Sequence, residues 1–162
     1  MLENLGIVEV LRPPTTGTTK NPCGLFANRR FGSKSLLEWV VRRVTDCQCL
    51  DRVVVLCGPG VEPNAVRQCA PPDVDVFSCE SSDPLGCLAA VVRNYKAQAV
   101  VRVRVDRPFV DPELIDRLVT SAQSKPGWDF VSYCLVDVRP AVQSQIGVFA
   151  EWCRAEAIEK AD

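Results

Sequence analysis

The feature that most constrains the fold is an alternation of short, valine-rich runs with longer amphipathic runs along most of the chain. The valine-rich runs predict β-strands over 7–11, 52–57, 74–78 and 99–105. Runs with apolar residues at helical spacing, three of which open with proline, predict α-helices over 35–45, 63–68, 84–96 and 112–124. Strands that alternate with helices indicate a largely parallel sheet covered by helices.

The last part of the chain adds fewer signals. The sequence there predicts strands over 129–136 and 146–149 and a terminal helix over 151–161. At 162 residues, of which 47% are hydrophobic, the chain has the size of one domain with a substantial core. We therefore expect a single domain over 1–162.

Charge and hydropathy exclude some partners. Nineteen basic and twenty acidic residues give a net charge of −1, so no overall basic field recruits nucleic acid. No apolar run approaches the roughly 20 residues that span a bilayer. The amino terminus lacks a basic region followed by a long apolar one. We expect no nucleic acid partner, no membrane partner and a cytoplasmic location.

The cysteines and the absence of histidine limit the chemistry. Nine scattered cysteines are an odd number without a C-x-x-C pair, which argues against a disulfide framework and against structural zinc. We expect buried thiols in a reducing compartment. Because the chain has no histidine, Ser–His–Asp and Cys–His catalysis cannot be built from it alone. Chemistry here must use carboxylates, lysine, arginine or backbone amides.

A strand–aspartate–helix unit stands out at VVRVRVDRPFVDPELIDRLV, from Val100 to Val119. Pro108 stops the strand, so Asp106 is left at its carboxyl end, which is where ligands bind in open α/β sheets. Asp111 is predicted to cap the next helix, with Pro112 at its first position. One carboxylate therefore caps, and Asp106 is free to bind a ligand. The alternative for Asp106 is a loop residue that caps a turn.

A long connection, RPPTTGTTKNPCGLFANRRFGSKS, joins the first strand to the first helix, where about 2–6 residues are usual. It holds glycines, threonines and cations that suit phosphate binding near a helix start. It matches neither G-x-x-x-x-G-K-[ST] nor G-x-G-x-x-G. Phosphate binding and a flexible loop both remain open. The candidate residues are Arg12, Gly17, Lys20 and Lys34.

The chain resembles the cytidylyltransferase-like nucleotide-sugar synthetases, which include CMP-sialic acid and CMP-KDO synthetases and spore-coat polysaccharide cytidylyltransferase relatives. The segment VVRVRVDRPFVDPELIDRLV is similar to that family's strand, metal-binding aspartate, proline and D-P-E-L-I-D helix. SKSLLEWVVRRV resembles the G-K-P-L-L-E-x-x-I-x-R helix, and LDRVVVLC the second strand. DPLGCLAAVV resembles the D-x-L-G-R segment, and DFVSY the D-Y-V-S strand.

The resemblance implies a three-layer, Rossmann-like sandwich of the GT-A-like nucleotidyltransferase fold with a mostly parallel sheet. It implies that a sugar or sugar-acid oxygen attacks the α-phosphate of CTP, or of another nucleoside triphosphate, and displaces pyrophosphate. Asp106 would hold Mg²⁺, and Arg12 and Lys20 would contact the triphosphate. Lys34 and Gly17 are further candidates for nucleotide contact. Asp83 would hold the nucleotide or cap the helix that starts at Pro84.

The chain also departs from the family pattern. The loop after the first strand is longer than A-R-x-x-S-x-R-L-P-G-K, and Val105 and Cys87 replace a glycine and an arginine. The segment SQIGVFAEW offers no second metal carboxylate before Glu151. The chain is shorter than the full family domain, whose missing elements help to bind sugar and to form a homodimer. The second hypothesis is therefore a catalytically degenerate relative that acts as a nucleotide-binding or protein-interaction module.

Overall fold

The computed structural model describes residues 2–11, 26–79, 81–125, 127–136, 139–144 and 147–162. The described strands are β1 (Leu2–Val10), β2 (Arg30–Phe31), β3 (Lys34–Ser35), β4 (Arg52–Cys57), β5 (Asp75–Ser78), β6 (Ala97–Arg104), β7 (Phe130–Ser132) and β8 (Glu151–Arg154). The described α-helices are α1 (Leu36–Thr45), α2 (Pro63–Arg67), α3 (Pro84–Tyr95), α4 (Pro112–Gln123) and α5 (Ala155–Ala161). A 3₁₀ helix covers Ala141–Gln143.

A six-stranded sheet with the order β5-β4-β1-β6-β8-β7 forms the centre. Strands β5, β4, β1 and β6 pair in parallel, whereas β8 runs antiparallel to both β6 and β7. This arrangement confirms the predicted, mostly parallel sheet. The carboxyl ends of the four parallel strands lie at one edge, and the residues that follow each strand are brought together there.

The period-2 alternation of the strands divides the core into two layers. On β1, Val8 and Val10 face a cluster that contains residues of α1 and α4. Leu5 and Ile7 face a second cluster, built with α3 and α5. Helices therefore cover both faces, which confirms the three-layer, Rossmann-like sandwich.

Local capping rules set where the helices begin. Asp111 accepts a hydrogen bond from the Glu113 N–H at 2.9 Å, and α4 starts at Pro112 as predicted. Ser35 caps α1 by accepting from the Glu38 N–H at 2.9 Å. The short strands β2 and β3 form a hairpin before α1, with Gly32 at a φ of 65° in its turn.

The predicted terminal helix over 151–161 was wrong in its first turn. Glu151–Arg154 form β8, and only Ala155–Ala161 are helical. Trp152 packs in the α1/α4 layer while Cys153 packs in the α3/α5 layer, and only a strand sends neighbouring residues to opposite faces. Residues 147–149, the described part of the predicted strand 146–149, form a turn and an irregular segment. The predicted strand 129–136 shortens to β7.

No helix among the described residues has the length and apolarity needed to cross a bilayer.

None of the eight described cysteines forms a disulfide, and four of them are buried. Burial raises the pKa of Cys47 and Cys87 to about 12 and that of Cys153 to about 11. Because the thiolate is the reactive form, these thiols stay protonated and unreactive well above neutral pH. Cys134, by contrast, is exposed.

Among the eight described cysteines, we expect iodoacetamide at pH 8 to alkylate the exposed Cys134 roughly 10²-fold or more faster than Cys47, Cys87 and Cys153, because burial raises the pKa of these three thiols and limits access to them. Peptide mass spectrometry on timed samples measures these rates. Full denaturation in urea should equalise them. Alkylation of Cys47 as fast as Cys134 in the folded protein would contradict this account of the core.

Candidate active site

Asp106 lies at the carboxyl edge of the sheet, two residues beyond the end of β6. The N–H of Val105 donates to the Glu9 carbonyl on β1 at 3.0 Å, so the ladder continues to the residue before Asp106. The Arg107 N–H donates to the Arg104 carbonyl at 3.1 Å and closes a turn around Asp106. The aspartate therefore stands at a strand tip beside β1, which is the position predicted from the sequence.

The carboxylate of Asp106 contacts two guanidinium groups. Its Oδ2 atom lies 2.6 Å from Nη2 of Arg104, and its Oδ1 atom lies 3.5 Å from Nε of Arg107. Oδ1 is buried and accepts no hydrogen bond within the described part of the chain. A buried carboxylate oxygen without a hydrogen bond normally has a ligand or water as its partner.

Helix α1 fixes the loop after Asp106. Trp39 Nε1 donates to the Pro108 carbonyl at 2.8 Å, and Arg43 Nε donates to the Val110 carbonyl at 2.5 Å. The sequence analysis did not assign this role to Arg43, whose guanidinium satisfies a carbonyl 67 residues away. The i,i+4 spacing of Trp39 and Arg43 was the available signal, since it puts both on one helix face.

The segment before β8 holds the same loop from the other side. Arg107 Nη1 donates to the Ser144 carbonyl at 2.8 Å, and the Asp111 N–H donates to the Val148 carbonyl at 3.2 Å. Gly147 also packs against this loop: a Cβ atom placed there would lie 3.4 Å from Cα of Arg107, in ordinary van der Waals contact. Asp106 is therefore carried on a loop that is tied on two sides.

A second charged cluster lies next to it and was not predicted. Glu9 on β1 is 4% exposed, and its carboxylate receives Arg102 Nε at 2.8 Å and Nη2 at 3.3 Å. Arg102 Nη1 also lies 3.6 Å from Glu151 Oε2 on β8. These three residues come from three neighbouring strands. The signal for them was the pair of charged residues, Glu9 and Arg102, within otherwise apolar strand sequences.

Burial and charge oppose one another in this cluster. Burial disfavours the charge on Arg102, but the attraction and hydrogen bond of Glu9 outweigh it, and the pKa of Arg102 rises. Burial raises the pKa of Glu151, while Arg102 counteracts part of that rise. The Glu9–Arg102 pair is therefore strong, and Glu151 is a weaker third member.

A pocket lies between the two clusters, with an empty volume of about 310 Å³ that includes space open to solvent. Its lining residues are Glu9, Arg102, Arg104, Arg107, Phe149 and Glu151. Asp106 borders it through its contacts with Arg104 and Arg107. Larger surface depressions lie on the outer face of α4 and along a surface that includes Glu3 and Gln98, on the amino-terminal portions of β1 and β6. Among the pockets formed by the described residues, the one at the carboxyl edge combines the strand-tip location with converging charges, so it is the candidate site.

The other predicted site residues divide into two groups. Lys34 is paired with Glu38 at 3.3 Å, one turn into α1, and its side chain is 43% exposed. Asp83 caps α3 by accepting from the Gly86 N–H at 2.8 Å, which matches the capping alternative. Arg12, Gly17 and Lys20 lie outside the described residues. Their predicted contacts with the triphosphate stay predictions.

The donor set at Asp106 fits one particular kind of metal binding. Within the described ranges, no group of three or more acidic, cysteine or histidine side chains is placed to hold a metal ion. Glu9 and Glu151, the carboxylates that line the neighbouring cavity, are both paired with Arg102. Mg²⁺ commonly binds through one or two carboxylates together with substrate phosphates and water. The buried, unbonded Oδ1 of Asp106 fits a metal that reaches the site with a nucleotide.

Comparison with known proteins identifies the family. The model of the MobA-like NTP transferase domain matches residues 27–159. An uncharacterized protein of Methanocaldococcus jannaschii is 29% identical over 104 residues, which are 64% of this chain and 42% of that protein. The chain thus spans about two fifths of the length of this curated relative.

Solved structures share the fold at low identity. A cytidylyltransferase from Leptospira borgpetersenii has a TM-score of 0.74 at 18% identity, over 98% of this chain and 62% of that one. A CMP:2-keto-3-deoxy-manno-octonic acid synthetase solved with CTP has a TM-score of 0.66 at 9% identity, over 98% and 76%. A Mycobacterium tuberculosis protein solved with manganese has a TM-score of 0.65 at 16% identity, over 98% and 74%.

The sequence resemblance and the structural likeness agree. The sheet, the helices on both faces and the strand–aspartate–helix unit place the chain with the cytidylyltransferases in fold. The family model covers most of the chain. The protein therefore belongs to the MobA-like NTP transferase domain family and shares the fold of the solved cytidylyltransferases.

Proposed function

We propose that this protein transfers a cytidylyl group from CTP to the hydroxyl of a sugar or sugar acid and releases pyrophosphate. The observation that carries the proposal is Asp106 at the tip of β6, with a buried, unbonded Oδ1 atom, in a chain of the MobA-like family. Nucleotidyl transfer is the chemistry of that family. The choice of CTP is supported by the sequence resemblance and by the neighbour that was solved with CTP.

Mg²⁺, when bound, neutralises charge on the triphosphate and on the pyrophosphate that leaves. Asp106 would hold it through Oδ1. Arg107 keeps the carboxylate oriented, because it is anchored to the Ser144 carbonyl and lies beside Oδ1. The loop that carries Asp106 is held by α1 on one side and by the segment before β8 on the other, which maintains this geometry. Positioning of the reacting groups contributes much of the rate in phosphoryl transfer.

Further roles come from the sequence. Arg12 and Lys20 would contact the triphosphate, and backbone amides near Gly17 would add donors to it. Lys34 would assist only after leaving Glu38. Asp83 would take part in nucleotide binding only if its role extends beyond capping α3. Two expectations from the sequence also stay predictions, namely the cytoplasmic location and the single domain. The same holds for the homodimer, which the family resemblance implies.

One observation favours the second candidate, a catalytically degenerate relative. Glu9 and Glu151 are paired with Arg102, Asp106 is paired with Arg104, and the segment before Glu151 offers no second metal carboxylate. A scaffold that has lost its metal chemistry would show this self-neutralised arrangement. Such a protein would keep nucleotide affinity or bind a protein partner.

Pyrophosphate release separates the two candidates. The purified protein is incubated with Mg²⁺ and each of CTP, ATP, GTP and UTP, with and without a panel of sugars and sugar acids, and pyrophosphate is measured by a coupled assay. We expect release with CTP that depends on an acceptor, and chromatography should show a matching CMP-linked product. Absence of product with every nucleotide and acceptor would instead support the degenerate relative.

A further inference from the structure

The two arginines that contact Asp106 differ in how firmly they are held. Arg107 is 12% exposed and is tied to the Ser144 carbonyl as well as to Asp106. Arg104 is 56% exposed; it pairs with Asp106 and attracts the Glu151 carboxylate only through space. Arg104 can therefore leave the carboxylate by rotating its own side chain, whereas Arg107 cannot move without breaking the loop.

The two charged clusters together are formally neutral. Glu9, Asp106 and Glu151 supply three negative charges, and Arg102, Arg104 and Arg107 supply three positive ones. A divalent cation that arrives alone gains little attraction here, and it meets the Arg104 guanidinium 2.6 Å from the Oδ2 atom of Asp106. Like charges this close repel each other strongly in a partly buried site. A cation on the Oδ1 atom of Asp106 is therefore opposed by Arg104 for as long as that guanidinium stays on Oδ2.

We propose that Arg104 is an internal counter-ion that occupies Asp106 in the absence of nucleotide and moves to the phosphates when metal and nucleotide bind together. This inference rests on the proposed function, because it takes Asp106 as the metal ligand. Guanidinium groups bind phosphate oxygens as well as they bind carboxylates, so the exchange costs Arg104 no partner. No covalent bond changes in this step.

The exchange couples the two ligands. The metal alone is opposed by Arg104 or must break the Arg104–Asp106 pair without a replacement, so it binds weakly. The metal with a triphosphate gives Arg104 a new partner, so each ligand tightens the binding of the other by the same factor. Arg104 thus makes metal and nucleotide bind together and disfavours the state in which the metal is bound alone.

Manganese binding measured by electron paramagnetic resonance tests this directly, since the signal of free Mn²⁺ reports the bound fraction without any need for turnover. Titrations with Mn²⁺ alone and with Mn²⁺ plus CTP are made on the wild type and on Arg104→Gln. Arg52→Gln is the matched control, because Arg52 is 51% exposed and forms a 2.5 Å pair with Asp75 at the opposite edge of the sheet. Near-ultraviolet circular dichroism checks that each variant is folded.

We expect Arg104→Gln to bind Mn²⁺ alone about tenfold more tightly than the wild type, within the usual range of coupling between sites. The factor by which CTP tightens Mn²⁺ binding should fall by a similar amount in this variant, while Arg52→Gln matches the wild type. Asp106→Asn added to Arg104→Gln should abolish the gain. Unchanged or weaker Mn²⁺ binding in Arg104→Gln would overturn the counter-ion role. If the wild type releases no pyrophosphate, the proposed function is refuted, but the Mn²⁺ titrations still report whether Arg104 opposes metal binding.

Discussion

Replacement of Asp106 by asparagine should lower the rate of pyrophosphate release by roughly 10³-fold, the loss expected when one preorganised charge contact to a transition state is removed. The amide keeps the size of the side chain but removes the negative charge that would hold Mg²⁺. The fold should survive, because the ion pair with Arg104 is partly exposed and is worth at most about 1 kcal/mol. The coupled pyrophosphate assay measures the rate.

Asp111→Asn is the matched control for this variant. Asp111 lies at the far end of the same loop and caps α4, and asparagine caps a helix as well as aspartate does. The control should therefore keep the wild-type rate. A folded Asp106→Asn protein that retains a rate within twofold of the wild type would show that Asp106 is not the metal ligand.

The second large effect concerns stability. Glu9→Gln should lower the free energy of unfolding by about 3 kcal/mol, near the lower end for breaking a buried ion pair. The change leaves the Arg102 guanidinium without the negative charge of its principal partner. Because Glu9 is 4% exposed, solvent does little to compensate for that lost charge. Arg102 keeps its weaker contact with Glu151, which limits the loss. Urea unfolding at pH 7 measures the effect.

Glu151→Gln is the comparison variant, for which we expect no loss in the free energy of unfolding. Because the folded protein raises the pKa of Glu151, chiefly through burial, its neutral form is the one that the fold favours. The stability linked to this group is complete below the unfolded pKa of about 4.3 and is lost as the pH rises through the folded value. At pH 7 a neutral glutamine should therefore leave stability unchanged or slightly higher. Equal destabilisation by both variants would contradict this assignment of the cluster.

The sequence predicted those parts of the site that depend only on residues close to one another in the chain. The strand, the turn at Pro108 and the cap at Asp111 follow from residue types within one short segment, and the structure has them where expected. The cap at Asp83 was found in the same way. Local signals were sufficient because the chemistry of turns and caps acts over a few residues.

The parts that were missed depend on contacts between distant segments. Arg102 and Glu9 are 93 positions apart, and only the parallel pairing of β1 with β6 brings them together. The strand at Trp152 was read as helix because its short run of residues fits both periods, and its pairing with β6 decides between them. Arg43 likewise has its partner 67 residues away. Tertiary structure sets all three.

The most direct test of the central claim is calorimetric titration of the wild type with CTP, ATP, GTP and UTP, each with and without Mg²⁺, repeated on Asp106→Asn. If the carboxyl edge of the sheet is a nucleotide site organised by Asp106, CTP should bind in the presence of Mg²⁺, and the asparagine variant should lose that Mg²⁺-dependent part of the affinity. Mg²⁺-dependent binding that is identical in the two proteins, or no binding of any nucleotide, would contradict the account.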